Sequence, residues 1–187
     1  MESFYEKLSI KKKYLESVEI RANELSALVD QDIDHFLLQK IKKKTEGYCK
    51  KDGLILPESL TILQRTLPFA PNEQFEGFFV VDLHYSVQVF NPPVDAVVPI
   101  TIQKKNKMGV LGYINVSEVP DLHQNVHRHF ALYPCNALFP FEIHNDEEDR
   151  VYLQNIEIGS TISAALKAKK FQIPDRTISF IAKYSRL

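Results

Sequence analysis

The stretch 78–90, FFVVDLHYSVQVF, alternates without a break from Val81 to Val89. Val81, Leu83, Tyr85, Val87 and Val89 fall on one side; Asp82, His84, Ser86 and Gln88 fall on the other. Successive side chains of a strand point to opposite faces, so the pattern predicts a long strand with one buried and one wet face. Its Val, Phe and Tyr suit a pleated, half-buried surface. Asn91-Pro92-Pro93 closes it, because two prolines remove two ladder donors. Upstream patterns predict a small α+β unit, and downstream patterns predict a series of short strands. This strand is the spine that joins them.

Working upstream, residues 53–67 carry short strand-like runs, with Leu60 and Ile62 in the last of them. Lys51-Asp52-Gly53 has the composition of a hairpin turn. Residues 30–45 read as a helix, with Ile33, Phe36, Leu37 and Ile41 on one face. Asp30, Asp32 and Asp34 stand at its start and Lys40, Lys42, Lys43 and Lys44 at its end, which suits the helix dipole. The lysines are expected as a solvated helix end rather than a nucleic-acid patch. Gly47 stands at a C-cap distance. Residues 14–21 predict a short strand with Val18 and Ile20 inward. The unit is thus a small antiparallel sheet with one helix packed on it, spanning 1–92.

Working downstream, strands are expected at 96–103, 110–114, 137–145, 157–168 and 176–183, with turns at Lys104–Gly109 and Gln172–Asp175. Five short strands fit a small closed barrel of the OB type over 93–187. The connection 115–155 is long for a compact domain. Its acidic run Asp146–Asp149 is expected as a solvated loop patch.

The chain has 187 residues, 44% hydrophobic and 25% charged, with a net charge of −1. That composition belongs to ordinary globular domains. No apolar run approaches the roughly 18–20 residues that span a bilayer. The N-terminal stretch lacks a signal-peptide apolar region, which predicts a cytosolic or nuclear protein. Cys49 and Cys135 are far apart and predict free thiols rather than a disulfide or zinc framework.

Signs of catalysis are weak. His123 and His127 have the spacing of a zinc pair, but Gln124 stands where HExxH needs glutamate, and His129 points elsewhere on a helix. There is no GxSxG and no phosphate-cradling glycine loop. A lysine-rich turn beside Cys49 is a setting that lowers a thiol pKa, but no base is paired with it. The expectation is a non-enzyme with no cofactor and no metal.

Charge distribution says more than its sum. Basic residues gather at Lys104, Lys105 and Lys107 and again at Lys167, Lys169, Lys170 and Arg176, with Tyr113 and Phe171 nearby. Cations attract a phosphate backbone and aromatic faces stack bases, so this set is a candidate surface for single-stranded RNA. The plainer alternative, polar barrel loops with Tyr113 and Phe171 in the core, stays open at this point.

The segment PPVDAVVPITIQKKNKMGVLGYI, with IEIGSTISAALKAKKFQIPDRTISFIAK further on, resembles the RNA-binding OB domain first described in ribosomal protein S-one. GYINVSEV (112–119) is similar to that family's glycine–apolar–apolar–histidine–x–serine element, with Asn115 at the histidine. In the other register, Gly109–Tyr113 is the second strand and FPFEIHN the third. The wider order is a strand, a helix running into KKTEGYC, then GLILP, then a long strand ending in VQVFNP. That order resembles the stalk subunit of multisubunit DNA-dependent RNA polymerases, the seventh-subunit family of polymerase II and its archaeal E-type counterpart. NKMG and KKFQIPD look most like versions from large cytoplasmic DNA viruses.

The resemblance implies a tip domain that docks on the largest polymerase subunits and a barrel that contacts nascent RNA. It also implies a fourth-subunit-like partner in a heteromeric complex, with no membrane. Docking is expected at Gly47, Lys51, Gly53, Pro57 and Ser59. The location implied is the nucleus for a cellular protein, or the host cytoplasmic factory and virion for a viral one. Asp95 departs from the family glycine at the barrel entry. The rival expectation is a free-standing RNA-binding protein of translation or RNA decay.

Overall fold

The computed structural model describes residues 8–28, 32–71, 77–114 and 135–186. The spine is strand β5, Phe78–Phe90; on one side it pairs along its whole length with β1, Ser9–Arg21. Its other side takes β3 (Gly53–Ile55) near Phe90 and β4 (Thr61–Arg65) near Leu83, with β2 (Cys49–Lys50) beyond β3. β1 begins earlier than its own alternation predicts. Full-length pairing with β5 extends it through Lys11, Lys12 and Lys13, whose charges leave at the surface.

The inward half of the β5 alternation is as expected, but Ser86, expected on the wet face, is buried. Val81, Leu83, Tyr85, Val87 and Val89 are buried against Leu37 and Ile41 of helix α1, Ile33–Thr45. Leu37 and Ile41 are one turn apart, so they share a face. Asp32 caps the helix by accepting from the Asp34 N–H, 3.4 Å, and Gly47 leaves it at φ +76°. The lysines at the helix end are not merely solvated. Lys40 bonds Glu24, Lys42 bonds Glu58 and Lys44 bonds Glu16. Helix and sheet are also joined by a polar cluster. The Glu16 carboxylate accepts from Lys44 (2.6 Å), Lys50 (2.5 Å) and the Tyr85 hydroxyl (2.9 Å).

Downstream, β6 (Val97–Asn106), β7 (Gly109–Tyr113), β8 (Cys135–Pro140), β9 (Thr161–Lys170) and β10 (Ile178–Tyr184) close a barrel. Around it the order is β6-β7-β8-β10-β9, with β8 and β10 parallel and the other neighbours antiparallel. This is an OB-like barrel. Helix α2, Glu147–Asn155, lies between the third and fourth barrel strands, and its Leu153 enters the barrel core. Gly109–Tyr113 is therefore the second strand, while Asn115 and the histidines at 123, 127 and 129 lie outside the described residues.

Several expected boundaries move. Lys104, Lys105 and Asn106 belong to β6 rather than to a turn, because a bulge after Ile102 restores pairing of Lys104 with Leu111. The third barrel strand starts at Cys135 and ends at Pro140, where a 3-10 turn begins. The fourth starts at Thr161, after a turn closed by Ser160 N–H to Glu157 O, 3.3 Å. The acidic run is not a loop patch. Asp146 caps α2, the next three acids form its first turn, and Asp149 is buried against Arg186 at 2.8 Å. Carboxylates at a helix start are stabilised by the dipole, which composition alone did not weigh.

The two parts share a core across the expected boundary at 92. Cys49, Leu54, Leu56 and Phe90 pack in the barrel cluster with Val98, Ile100, Cys135 and Phe180. No helix is long and apolar enough to cross a membrane among the described residues.

Candidate nucleic-acid interface

Strand register sorts the barrel's basic residues by the direction they face. Thr101, Tyr113, Asn136, Ser179 and Lys170 are successive partners across β6, β7, β8, β10 and β9. None of these five is buried, so the row faces outward. The neighbouring row is Ile102, Gly112, Ala137, Phe180 and Lys169, of which the first four are buried. One step further, Lys104, Leu111, Leu138, Ile181 and Ala168 face outward again. Leu138 and Ile181 are each 40% exposed, an apolar strip on the open face of the barrel. Side-chain period two thus assembles an outer face with an aromatic, an apolar strip and a lysine at each of two edges.

Of the nine residues expected to touch RNA, the barrel brings Lys104, Tyr113 and Lys170 onto this face. Lys107 is exposed at the tip of the β6–β7 hairpin. The side chains of Lys104, Lys107 and Lys170 have no ionic or hydrogen-bond partner among the described residues. The other cations are engaged inside the protein. The Lys105 ammonium donates to the carbonyls of Ile156 (2.6 Å) and Gln154 (3.1 Å), at the C-terminal end of α2. A cation there answers the negative end of the helix dipole. Lys167 pairs with Asp95 at 2.5 Å. Lys169, from the inward row, donates to Asn91 Oδ1 (2.5 Å) and Pro92 O (3.2 Å) at the joint between sheet and barrel. Arg176 lies over the Tyr48 ring, 4.7 Å from its centre, and donates to its hydroxyl. Phe171 is half-buried against the barrel core, as the plainer alternative has it.

Asp95, at the barrel entry, adopts a backbone conformation that glycine reaches most easily. Its φ is +67°, its N–H bonds Leu166 O at 2.6 Å, and its carboxylate holds Lys167. Aspartate is among the few side chains that tolerate this conformation.

The expected docking turns are mostly buried instead of lying on a free surface. Gly47, Gly53 and Pro57 are buried, and Ser59 donates to Leu56 O (2.6 Å) and accepts from Gln88 N–H (3.2 Å). Gly53 has φ +134°, and a Cβ there would stand 2.6 Å from Phe90 O. Only Lys51 of the five is exposed. In the same hairpin, Cys49 N–H bonds Asp175 O of the barrel at 2.7 Å, and Cys49 and Leu54 pack in the barrel cluster.

Cys49 is no activated thiol. Burial first, then the nearby Asp175 carboxylate, pushes its pKa up to about 11, opposite to the effect expected from the lysine-rich turn. Burial, with Cys49 next, also raises Cys135. Among the described residues no group of three His, Cys, Asp or Glu is placed to hold a metal ion.

Asn136, Ser179, Leu138 and Ile181 were not singled out by sequence reasoning. The alternation of 135–140, CNALFP, carried the signal for the β8 pair, but the Pro-bounded connection obscured it. No family model matches the chain, and the search of curated proteins finds no match either.

Proposed function

We propose that this chain is a non-catalytic stalk subunit of a DNA-dependent RNA polymerase that holds single-stranded nascent RNA on the outer barrel face. The observation that carries the RNA part is the common face of Tyr113, Lys104 and Lys170, the two lysines having no partner among the described residues. Stacking on an aromatic and phosphate contacts by unpaired lysines are the two interactions a single strand needs. The polymerase part rests on the resemblance quoted above. In that setting the partners are the largest polymerase subunits and a fourth-subunit-like chain, in the nucleus or in a viral factory and virion.

The test is purification of the tagged chain from its native setting at moderate salt after nuclease treatment. Recovery of the two large polymerase subunits in near-equal amounts is expected. Loss of all partners once RNA is digested would contradict the stalk assignment. A free-standing RNA-binding module of translation or RNA decay is the second reading. It gains from one observation, the burial of Gly47, Gly53 and Pro57.

A further inference from the structure

One long edge of the tip sheet has no partner strand among the described residues. Strand β1 pairs only with β5 and closes that side of the sheet. Its even-numbered residues turn their backbone groups toward β5. At the two ends, Leu8 O accepts from Asn91 N–H (3.3 Å) and Ala22 N–H donates to Gly77 O (2.9 Å). The odd-numbered residues therefore aim theirs at the open edge. Arg21 N–H is taken by the Glu24 carboxylate (2.9 Å) and Glu19 O by the Lys40 ammonium (2.6 Å). Among the described residues no bond reaches the backbone of Lys13, Leu15 or Ser17 on that side. We infer that this edge pairs with the same edge of a second copy, antiparallel about a two-fold axis at Leu15, to make a homodimer with one continuous sheet. The inference uses no residue of the outer barrel face and stands apart from the RNA reading.

The charge pattern selects the partner. An edge that carries Lys11, Lys12 and Lys13 repels another basic strand. The other half of β1 carries Glu16 and Glu19. An antiparallel copy thus sets the basic half of each strand against the acidic half of the other. With Leu15 on the axis, Leu15 meets Leu15, Lys13 meets Ser17, and Lys11 meets Glu19 once at each end. These residues share the face of β1 that alternates with the buried Val18 and Ile20. Leu15 is 66% exposed, and the pairing covers it. Lys11, Lys13 and Glu19 are exposed, and their side chains have no ionic or hydrogen-bond partner among the described residues. Opposite charges directly across an antiparallel pair stabilise it, and like charges there oppose it. A two-fold contact of this kind is isologous, so one patch serves both copies.

The experiment is sedimentation velocity on the full chain at low salt, from about 1 to 200 µM. A short edge buries little area, so the dimer is expected to form as concentration rises. The mass then moves from 21.6 kDa toward twice that value. Lys11→Glu and Glu19→Lys each set like charges across both ends, and each is expected to weaken association about ten-fold. An equimolar mixture of the two variants restores opposite charges at both ends and is expected to dimerise as wild type does. Neither side chain is bonded within the described chain, so both variants are expected to keep the wild-type Tm. A wild type that stays monomeric throughout overturns the inference and leaves the edge to a strand of a different protein. A dimer that survives both single variants overturns it, because the copies then meet elsewhere. Variants whose mixture fails to recover overturn it too, because the two charges are then not opposite each other.

Discussion

At the scale of residues, two lysines that sit one apart in the sequence have different tasks. Lys105 closes the end of α2 through two carbonyls, so Lys105→Glu should lower stability by about 1 kcal/mol, read from the urea midpoint. Lys104→Glu should leave that midpoint unchanged and weaken RNA binding. Glu16 supplies an acid-sensitive contact. Burial pushes its pKa up, but the bonds from Lys44, Lys50 and Tyr85 outweigh burial and hold it at about 2. A carboxylate depressed in the folded state stabilises the fold above its unfolded value, about 4.3, and that stabilisation is lost as pH falls toward 2. Glu16→Gln should therefore cost about 1–2 kcal/mol at neutral pH and flatten the stability curve between about pH 5 and 2. An unchanged acid limb would assign that titration to other groups.

At the scale of elements, the spine strand was legible because its alternation is unbroken and each of its five inward residues is buried. The hairpin at Lys51–Gly53 and the helix end at Gly47 were legible for the same kind of reason, a backbone need met by one residue type. Gly53 tests this directly. Gly53→Ala meets both a positive φ and the Phe90 carbonyl, so it should destabilise by about 2 kcal/mol or more in thermal unfolding. A neutral result would mean that β3 is free to shift away from β5. The candidate face was only partly legible. Sequence gave the cations but not their partners, since Lys105 to Ile156 and Lys169 to Asn91 are contacts between residues remote in the chain. The strand boundaries at Lys104 and Cys135 depend on a bulge and on pairing, which local composition does not carry.

At the scale of the whole molecule, sheet and barrel are joined by packing as well as by the chain. Leu54, Leu56 and Phe90 enter the barrel core, and Arg176 reaches back over Tyr48. A shared core predicts one cooperative transition for the tip sheet and barrel, seen as coincident curves from a probe in each part. Two separated transitions would show that the seam is weaker than its burial suggests.

The most direct test of the central claim is the salt dependence of RNA binding by the outer face. Fluorescence anisotropy would follow a labelled single strand titrated with wild type and with the combined Lys104→Glu, Lys107→Glu and Lys170→Glu variant. Each lost phosphate contact lowers the slope of log affinity against log salt by about 0.7, so the triple variant should lower it by about 2, with unchanged thermal stability. Equal slopes and equal affinities for the two proteins would contradict the claim that this face holds RNA.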